Sequence, residues 1–107
     1  MRVVLDQGTP APLRRLLPGH DVATAFELGW ATLTNGEFLA AAEDAGFEAV
    51  ITTDKNLRHQ QSVRGRSLGV LVLPTTKWPV VREQATRIQS ALTELQPGEI
   101  TDVRFDD

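Results

Sequence analysis

Three acidic residues stand where a folded chain could bring carboxylates together. Asp6 and Asp54 directly follow short apolar or β-branched runs, over residues 3–5 and 49–53, and Glu37 lies near the start of a helical pattern. Two unit charges about 4 Å apart repel by roughly 4 kcal/mol at an effective dielectric near 20, so such a cluster needs a cation or a bound proton. Mg²⁺ or Mn²⁺ is the expected cofactor, because hard cations prefer carboxylate oxygens and suit phosphodiester hydrolysis.

The elements that would position these acids alternate along the chain. Apolar patterns predict strands over residues 3–5, 21–25, 49–53 and 69–73, with an edge strand near 100–105. Helical patterns lie between them: one capped by Thr9 with Pro10 at its first position, one capped by Asn35, and a long amphipathic one from Pro79 to Leu95. This alternation predicts one α/β domain over residues 1–107, with three α/β/α layers and a largely parallel central sheet.

A parallel sheet would place the acids at one edge. Ligands of open α/β sheets bind outside the carboxyl ends of the strands, which is where Asp6 and Asp54 are expected. Glu37, in the first turn of a helix, can face the same edge. For each acid alone a structural role competes with this interpretation: an Asp can cap a turn, and a Glu favours the positive end of a helix dipole.

Composition excludes several classes of function. The chain has 107 residues and no Cys, which rules out thiolate nucleophiles, thiolate zinc sites and disulfides, and favours the cytoplasm. No apolar run approaches the roughly 20 residues of a membrane span, and the short apolar start is unlike a signal peptide. A net charge of −3 is too small for a protein that coats a polyanion over its whole surface.

The charge distribution is more informative than the net charge. Between Lys55 and Arg82 there is no acid, and six cations fall in that stretch. Four of them directly follow the acid at position 54 and are candidates to neutralise the phosphates of a bound RNA strand: Lys55, Arg58, Arg64 and Arg66. A solvated surface is the alternative interpretation of this basic band.

Four segments, in this order, give the chain a resemblance to a known family. They are Val3-Val4-Leu5-Asp6, Gly19-His20-Asp21-Val22, Asn35-Gly36-Glu37-Phe38-Leu39-Ala40-Ala41-Ala42, and Val50-Ile51-Thr52-Thr53-Asp54-Lys55-Asn56-Leu57. Over residues 1–75 the chain resembles the PIN-like nuclease superfamily, in its compact bacterial branch related to VapC-type toxins. The resemblance implies a metal-dependent endoribonuclease with an acidic site, often the toxin of a toxin–antitoxin pair, with RNA and an antitoxin-like protein as partners.

The resemblance assigns roles residue by residue. Asp6 matches the first acid of the family, Asp54 the acid after the late strand, and Thr52 the hydroxyl two positions before it. Where the family has an Asp at the helix start, this chain has Asn35, a neutral oxygen ligand. Glu37 could replace that acid as catalytic residue and metal ligand together with Asp6 and Asp54, although residues two apart on a helix do not share a face. Asn35, Thr52 and Asn56 are then expected beside the metal ligands. Glu27 is a further candidate for the missing acid, ranked below Glu37.

Two other functions compete with hydrolysis. A PIN-like module of weak activity could bind RNA or an antitoxin-like protein. Asn35 favours this interpretation because it stands where the family has an acid. A phosphotransfer domain with Asp6 as nucleophile has little support, because Asp6-Gln7-Gly8 lacks the second Asp of that motif. The helix after Pro79 could present an apolar face for a homodimer, but core packing is the default for such a face. Trp78 is expected in the core; Trp30 could pack there or stack on a base.

Overall fold

The computed structural model describes residues 1–59 and 63–105, apart from the side chains of residues 58 and 59. Five strands form one sheet in the order β2-β1-β3-β4-β5, and every pair of neighbours is parallel. The strands are β1 (Arg2–Leu5), β2 (Asp21–Thr24), β3 (Ala49–Thr52), β4 (Gly69–Val72) and β5 (Ile100–Asp102). The predicted α/β fold with a parallel central sheet is confirmed.

Helices connect the strands and cover both faces of the sheet. Two are 3₁₀ helices, η1 (Ala11–Leu16) and η2 (Lys55–His59), and three are α-helices, α1 (Asn35–Asp44), α2 (Trp78–Glu83) and α3 (Ala85–Glu94). Side chains of η1, α2 and α3 pack in one core cluster and side chains of α1 and η2 in a second. This three-layer arrangement follows from the alternation of strands and helices along the chain. None of the helices described is long and apolar enough to cross a membrane.

The strand residues alternate strictly between the two core clusters. Val3 and Leu5 of β1 lie on the η1 side of the sheet, whereas Val4 lies on the α1 side. In β3, Ile51 faces the η1 side and Val50 the α1 side. Both faces are buried, which explains why these strands read as continuous apolar runs and not as alternating ones.

Two predicted helix starts differ from the structure. The N-cap of η1 is Pro10, not Thr9, whose hydroxyl donates instead to the Ile51 carbonyl oxygen at 3.2 Å. The N-cap of α1 is Thr34, not Asn35, which is the first residue of the helix. Thr and Asn are both good N-cap residues, so their neighbouring positions left this choice to the tertiary structure.

The helix predicted from Pro79 to Leu95 is two helices, broken at Gln84 (φ −105°, ψ 18°). No Gly or Pro marks the break. Val81, Ile88 and Leu92 are all buried against the sheet, and their spacings of seven and four would equally fit one continuous helix. Their burial confirms that the apolar face belongs to the core, while Val80 stays exposed.

Candidate functional site

The candidate site lies at the carboxyl ends of β1 and β3. Side chains two apart on a strand share a face, so Asp6 and Thr52 continue the rows of Val4 and Val50 toward the α1 side. Asp6 directly follows β1, and Asp54 lies two residues after β3. The N-terminus of α1 lies at the same edge, because the Asn35 amide reaches Asp54.

The Thr52 hydroxyl joins the two acidic segments. It donates a hydrogen bond to Asp6 Oδ2 at 2.8 Å and accepts one from the Asp54 backbone N–H at 3.0 Å. Thr52 is fully buried, whereas both acids are partly exposed. A buried hydroxyl that uses its donor and an acceptor in this way fixes both segments against β3.

Each carboxylate oxygen at the site has one hydrogen-bond donor. Asp6 Oδ1 accepts from the Gln7 backbone N–H at 2.7 Å, and Asp54 Oδ1 accepts from the Asn56 backbone N–H at 2.9 Å. Asp54 Oδ2 lies 3.4 Å from Asn35 Nδ2. Because a carboxylate oxygen can accept more than one bond, both side chains are oriented and still have lone pairs for a ligand.

Burial raises the pKa of the Asp6 carboxyl above its ordinary value. The hydrogen bonds from the Thr52 hydroxyl and the Gln7 N–H lower this pKa, and the negative charge of Asp54 raises it again. The effect of Asp54 means that the two carboxylates interact electrostatically. A cation bound between them would remove this unfavourable interaction.

The strand order explains why a site forms here. From β1 the chain passes through η1 to β2, whereas from β3 it passes through η2 to β4 on the opposite side. The connections that leave β1 and β3 therefore run in opposite directions along the sheet. The carboxyl ends of two such strands are the usual place for a ligand in open α/β sheets.

Glu37 does not join Asp6 and Asp54 in this arrangement. It forms a capping box with Thr34: Glu37 Oε1 accepts from the Thr34 backbone N–H at 2.9 Å, and the Thr34 hydroxyl accepts from the Glu37 backbone N–H. The hydrogen bond from the Thr34 N–H, followed by that with its side chain, lowers the pKa of Glu37. Glu37 therefore has a structural role at the start of α1.

The donor set fits a hard divalent cation that keeps part of its water shell. The two carboxylates are the charged oxygen donors at this edge, and Mg²⁺ is commonly held by one or two carboxylates plus water and phosphate oxygens. The Asn35 amide turns its nitrogen, not its oxygen, toward Asp54 Oδ2. Among the described residues there is no group of three or more His, Asp or Glu that could hold a metal ion.

The structure divides the basic band between the two ends of the sheet. Lys55 begins η2, one residue after Asp54, and is exposed. Arg66 lies at the opposite end, where Arg66 Nη1 and Glu43 Oε1 in the last turn of α1 are 2.7 Å apart. Arg64 is exposed beside Gly65, which packs against Gly98 at the entry to β5. The side chain of Arg58 lies outside the described residues, so Lys55 is the described member of the band next to the acids.

Trp30, Trp78 and Glu27 each make packing or hydrogen-bond contacts within the fold. Trp30 packs edge-on against Phe38 and Phe47, with ring centroids 6.2 and 5.9 Å apart, and Trp78 packs on the opposite core cluster. Glu27 pairs with Arg14 and accepts from the Thr24 N–H. These contacts favour packing over base stacking for Trp30.

One feature of this edge had no signal in the sequence. Phe26, in the turn after β2, is 80% exposed and lines a cavity of about 230 Å³. Residues 5–9, including Asp6, line the same cavity. No sequence pattern marks Phe26, and the turn after β2 directs its ring outward.

Comparisons with known proteins leave the assignment to the site itself: no family model, no curated protein and no solved structure matches this chain.

Proposed function

We propose that this protein is a Mg²⁺- or Mn²⁺-dependent endoribonuclease of the PIN-like type, acting in the cytoplasm as the toxin of a toxin–antitoxin pair. The observation that carries the proposal is the Thr52 hydroxyl, which bonds both the Asp6 carboxylate and the Asp54 backbone N–H at the carboxyl ends of β1 and β3. The resemblance to the PIN-like superfamily supports the choice of RNA. An antitoxin-like protein is the expected partner.

Asp6 and Asp54 would hold the ion. Asn35, whose Nδ2 donates to Asp54 Oδ2 in this structure, would add its amide oxygen as a third protein ligand only after the amide group turns over. A bound divalent ion supplies an activated water and stabilises the leaving oxygen in phosphodiester hydrolysis. Thr52 and Asn56 keep the two carboxylates in place through the hydrogen bonds described above. Lys55, one residue from Asp54, would bind a phosphate of the RNA.

Thermal unfolding with and without metal tests the site. The melting temperature of the wild type is measured in Mn²⁺ and in chelator, beside Asp54→Asn and a control, Asp44→Asn, at the exposed far end of α1. A ligand at about 100 times its Kd stabilises the folded state by roughly 2.7 kcal/mol. We expect Mn²⁺ to raise the melting temperature of the wild type and of Asp44→Asn, and not that of Asp54→Asn.

Cleavage of labelled single-stranded RNA is then measured with Mg²⁺ or Mn²⁺. We expect hydrolysis by the wild type and by Asp44→Asn, and loss of hydrolysis in Asp54→Asn and in chelator. A wild type that does not respond to Mn²⁺ and cleaves no RNA would contradict the proposal.

The capping role of Glu37 favours a second candidate function. With Glu37 bonded to Thr34 and Asn35 in place of an acid, the site has two carboxylates, which suits a module that binds RNA or an antitoxin-like protein and hydrolyses weakly. Under this alternative Mn²⁺ changes the melting temperature of neither the wild type nor Asp54→Asn. Asp54→Asn is then more stable than the wild type in chelator, because one of two neighbouring negative charges is gone.

A further inference from the structure

The turn after β2 presents an aromatic ring to solvent at the edge of the candidate site. Phe26 is 80% exposed, the largest exposed fraction among the large apolar side chains described. Its neighbour Ala25 is buried and donates its backbone N–H to the Leu5 carbonyl oxygen at 2.8 Å, so the turn begins directly beside β1. Single exposed apolar residues are common on protein surfaces, so the exposure of Phe26 does not by itself mark a binding site.

Hydrogen bonds on both sides hold Phe26 in position. The Thr24 backbone N–H donates to Glu27 Oε1 at 2.9 Å, and the Glu27 backbone N–H donates to the Thr24 hydroxyl at 3.2 Å. The Gly29 N–H donates to the Phe26 carbonyl oxygen at 3.2 Å. Arg14 also pairs with Glu27. These bonds order the backbone of the turn before a ligand binds, so stacking on the ring has only the Phe26 side chain left to order.

Beside this ring is a cavity of about 230 Å³. Small side chains line much of it, from Gly8 and Thr9 on one wall to Ala11 and Ala25 on the others. Its volume is below the roughly 300–1,000 Å³ of cavities that take drug-sized ligands, so one planar ring system is a better fit than a larger molecule. Asp6 is part of the wall, which places the cavity next to the candidate metal ligands.

A second cavity, of about 370 Å³, adjoins the first. Ala11 and Thr24 line both, and Arg14 and Arg15 line the second one. Arg14 is paired with Glu27, whereas Arg15 is exposed and forms no ion pair within the described residues. A neutral aromatic surface with a cation beside it is complementary to a nucleotide, whose base stacks and whose phosphate is charged.

We propose that Phe26 and its cavity bind one unpaired base of single-stranded RNA, with Arg15 contacting a neighbouring phosphate. The inference rests on the proposed function for the choice of RNA, and it adds a base-binding position on the β2 side of Asp6. Stacking on an aromatic ring requires an unstacked base, so a strand bound here enters the site without secondary structure.

The test measures binding of a labelled single-stranded oligouridylate by fluorescence anisotropy in chelator, where no metal is bound. We expect Phe26→Ala to weaken binding roughly 5- to 150-fold, the range found when one stacking residue is removed. Phe26→Trp should keep it. The matched control Leu28→Ala, an exposed apolar residue of the same turn that does not line the cavity, should bind as the wild type does.

The salt dependence of the same binding tests Arg15. Arg15→Ala should reduce the slope of log K against log salt by about 0.7, the value for one phosphate of a single strand. The matched control Arg82→Ala, an exposed cation of α2 that lines neither cavity, should leave the slope unchanged. The same oligonucleotide annealed to its complement should bind more weakly than the free strand.

Equal affinity of Phe26→Ala and the wild type would overturn the inference, as would absence of single-strand binding. A wild type that sediments as a dimer and a Phe26→Ala variant that sediments as a monomer would also overturn it, because the ring would then be a contact between copies. If Phe26→Ala loses binding and the wild type neither responds to Mn²⁺ nor cleaves RNA, this inference is supported and the proposed function fails. If the wild type cleaves RNA and Phe26→Ala binds as the wild type does, the proposed function is supported and this inference fails.

Discussion

Asp6 is the residue whose chemistry depends most on its surroundings. Its carboxyl is partly buried, receives hydrogen bonds from Thr52 and Gln7, and lies close enough to Asp54 for their charges to interact. The balance of these effects raises its pKa, so the folded protein binds the Asp6 proton more tightly than the unfolded chain does. A bound cation would reverse this preference.

The pH dependence of stability should reveal this effect. A carboxyl with a raised pKa in the folded state makes the free energy of unfolding fall as the pH rises above its unfolded value of about 3.9. We expect Asp6→Asn to gain stability relative to the wild type between acidic and neutral pH, and to lose that advantage in acid. Urea unfolding in chelator across this range measures the difference. Parallel curves for the two proteins would contradict the raised pKa.

At the N-terminus of α1, two side chains cap the helix and a third contacts the candidate site. Thr34 and Glu37 bond to each other's backbone N–H, which satisfies two of the donors left free at a helix start. Asn35, between them, turns its amide toward Asp54. The helix start therefore contributes one side chain to the site and uses its acid for its own cap.

Substitutions at this cap separate the two roles of Glu37. Glu37→Gln keeps a hydrogen-bond acceptor for the Thr34 N–H and should leave the response to Mn²⁺ unchanged, because Glu37 is not beside Asp6 and Asp54. Thr34→Ala should lower the free energy of unfolding by about 1 kcal/mol, and Thr34→Ser should restore it. Denaturant unfolding and Mn²⁺ titration provide the measurements. Loss of the Mn²⁺ response in Glu37→Gln would restore Glu37 as a metal ligand.

At the scale of the whole molecule, the packing of helices on the sheet is tightest at Gly69 of β4, where there is no room for a side chain. A Cβ at this position of β4 would lie 2.6 Å from Leu95 Cγ and 2.7 Å from the Gln96 carbonyl oxygen. The chain after α3 thus packs directly on the backbone of β4. Leu95 belongs to the core cluster of η1, α2 and α3, so this contact joins that helical layer to the sheet.

Gly69→Ala should destabilise the whole fold, by about 1–3 kcal/mol, as expected when an atom is forced into a packed region. Gly36→Ala provides the matched control: it lies in α1, a Cβ there would meet nothing within 4 Å, and Ala should stabilise a helix by roughly 0.5–1 kcal/mol. Urea midpoints of the two variants should therefore move in opposite directions. A Gly69→Ala protein as stable as the wild type would show that Leu95 and Gln96 can move aside.

Much of the fold followed from local pattern. The runs around Val4, Val50 and Val70 are apolar on both strand faces, which requires a covered parallel sheet. Asp6 directly follows β1, and Asp54 lies two residues after β3. Parallel strands end at a common edge, so the proximity of the two acids was predictable from their positions alone.

Other features depended on contacts between distant segments. The choice of Thr34 over Asn35 as cap, the break at Gln84 and the outward position of Phe26 are each compatible with more than one local arrangement. Glu37 had the residue type and spacing of a ligand, and a hydrogen bond three residues away took it into the helix cap. The amino-acid pattern determined which residues share an edge, because strand period and parallel connection set that edge. Which side chains at the edge meet depended on packing and hydrogen bonding across the folded chain, which have no local signal.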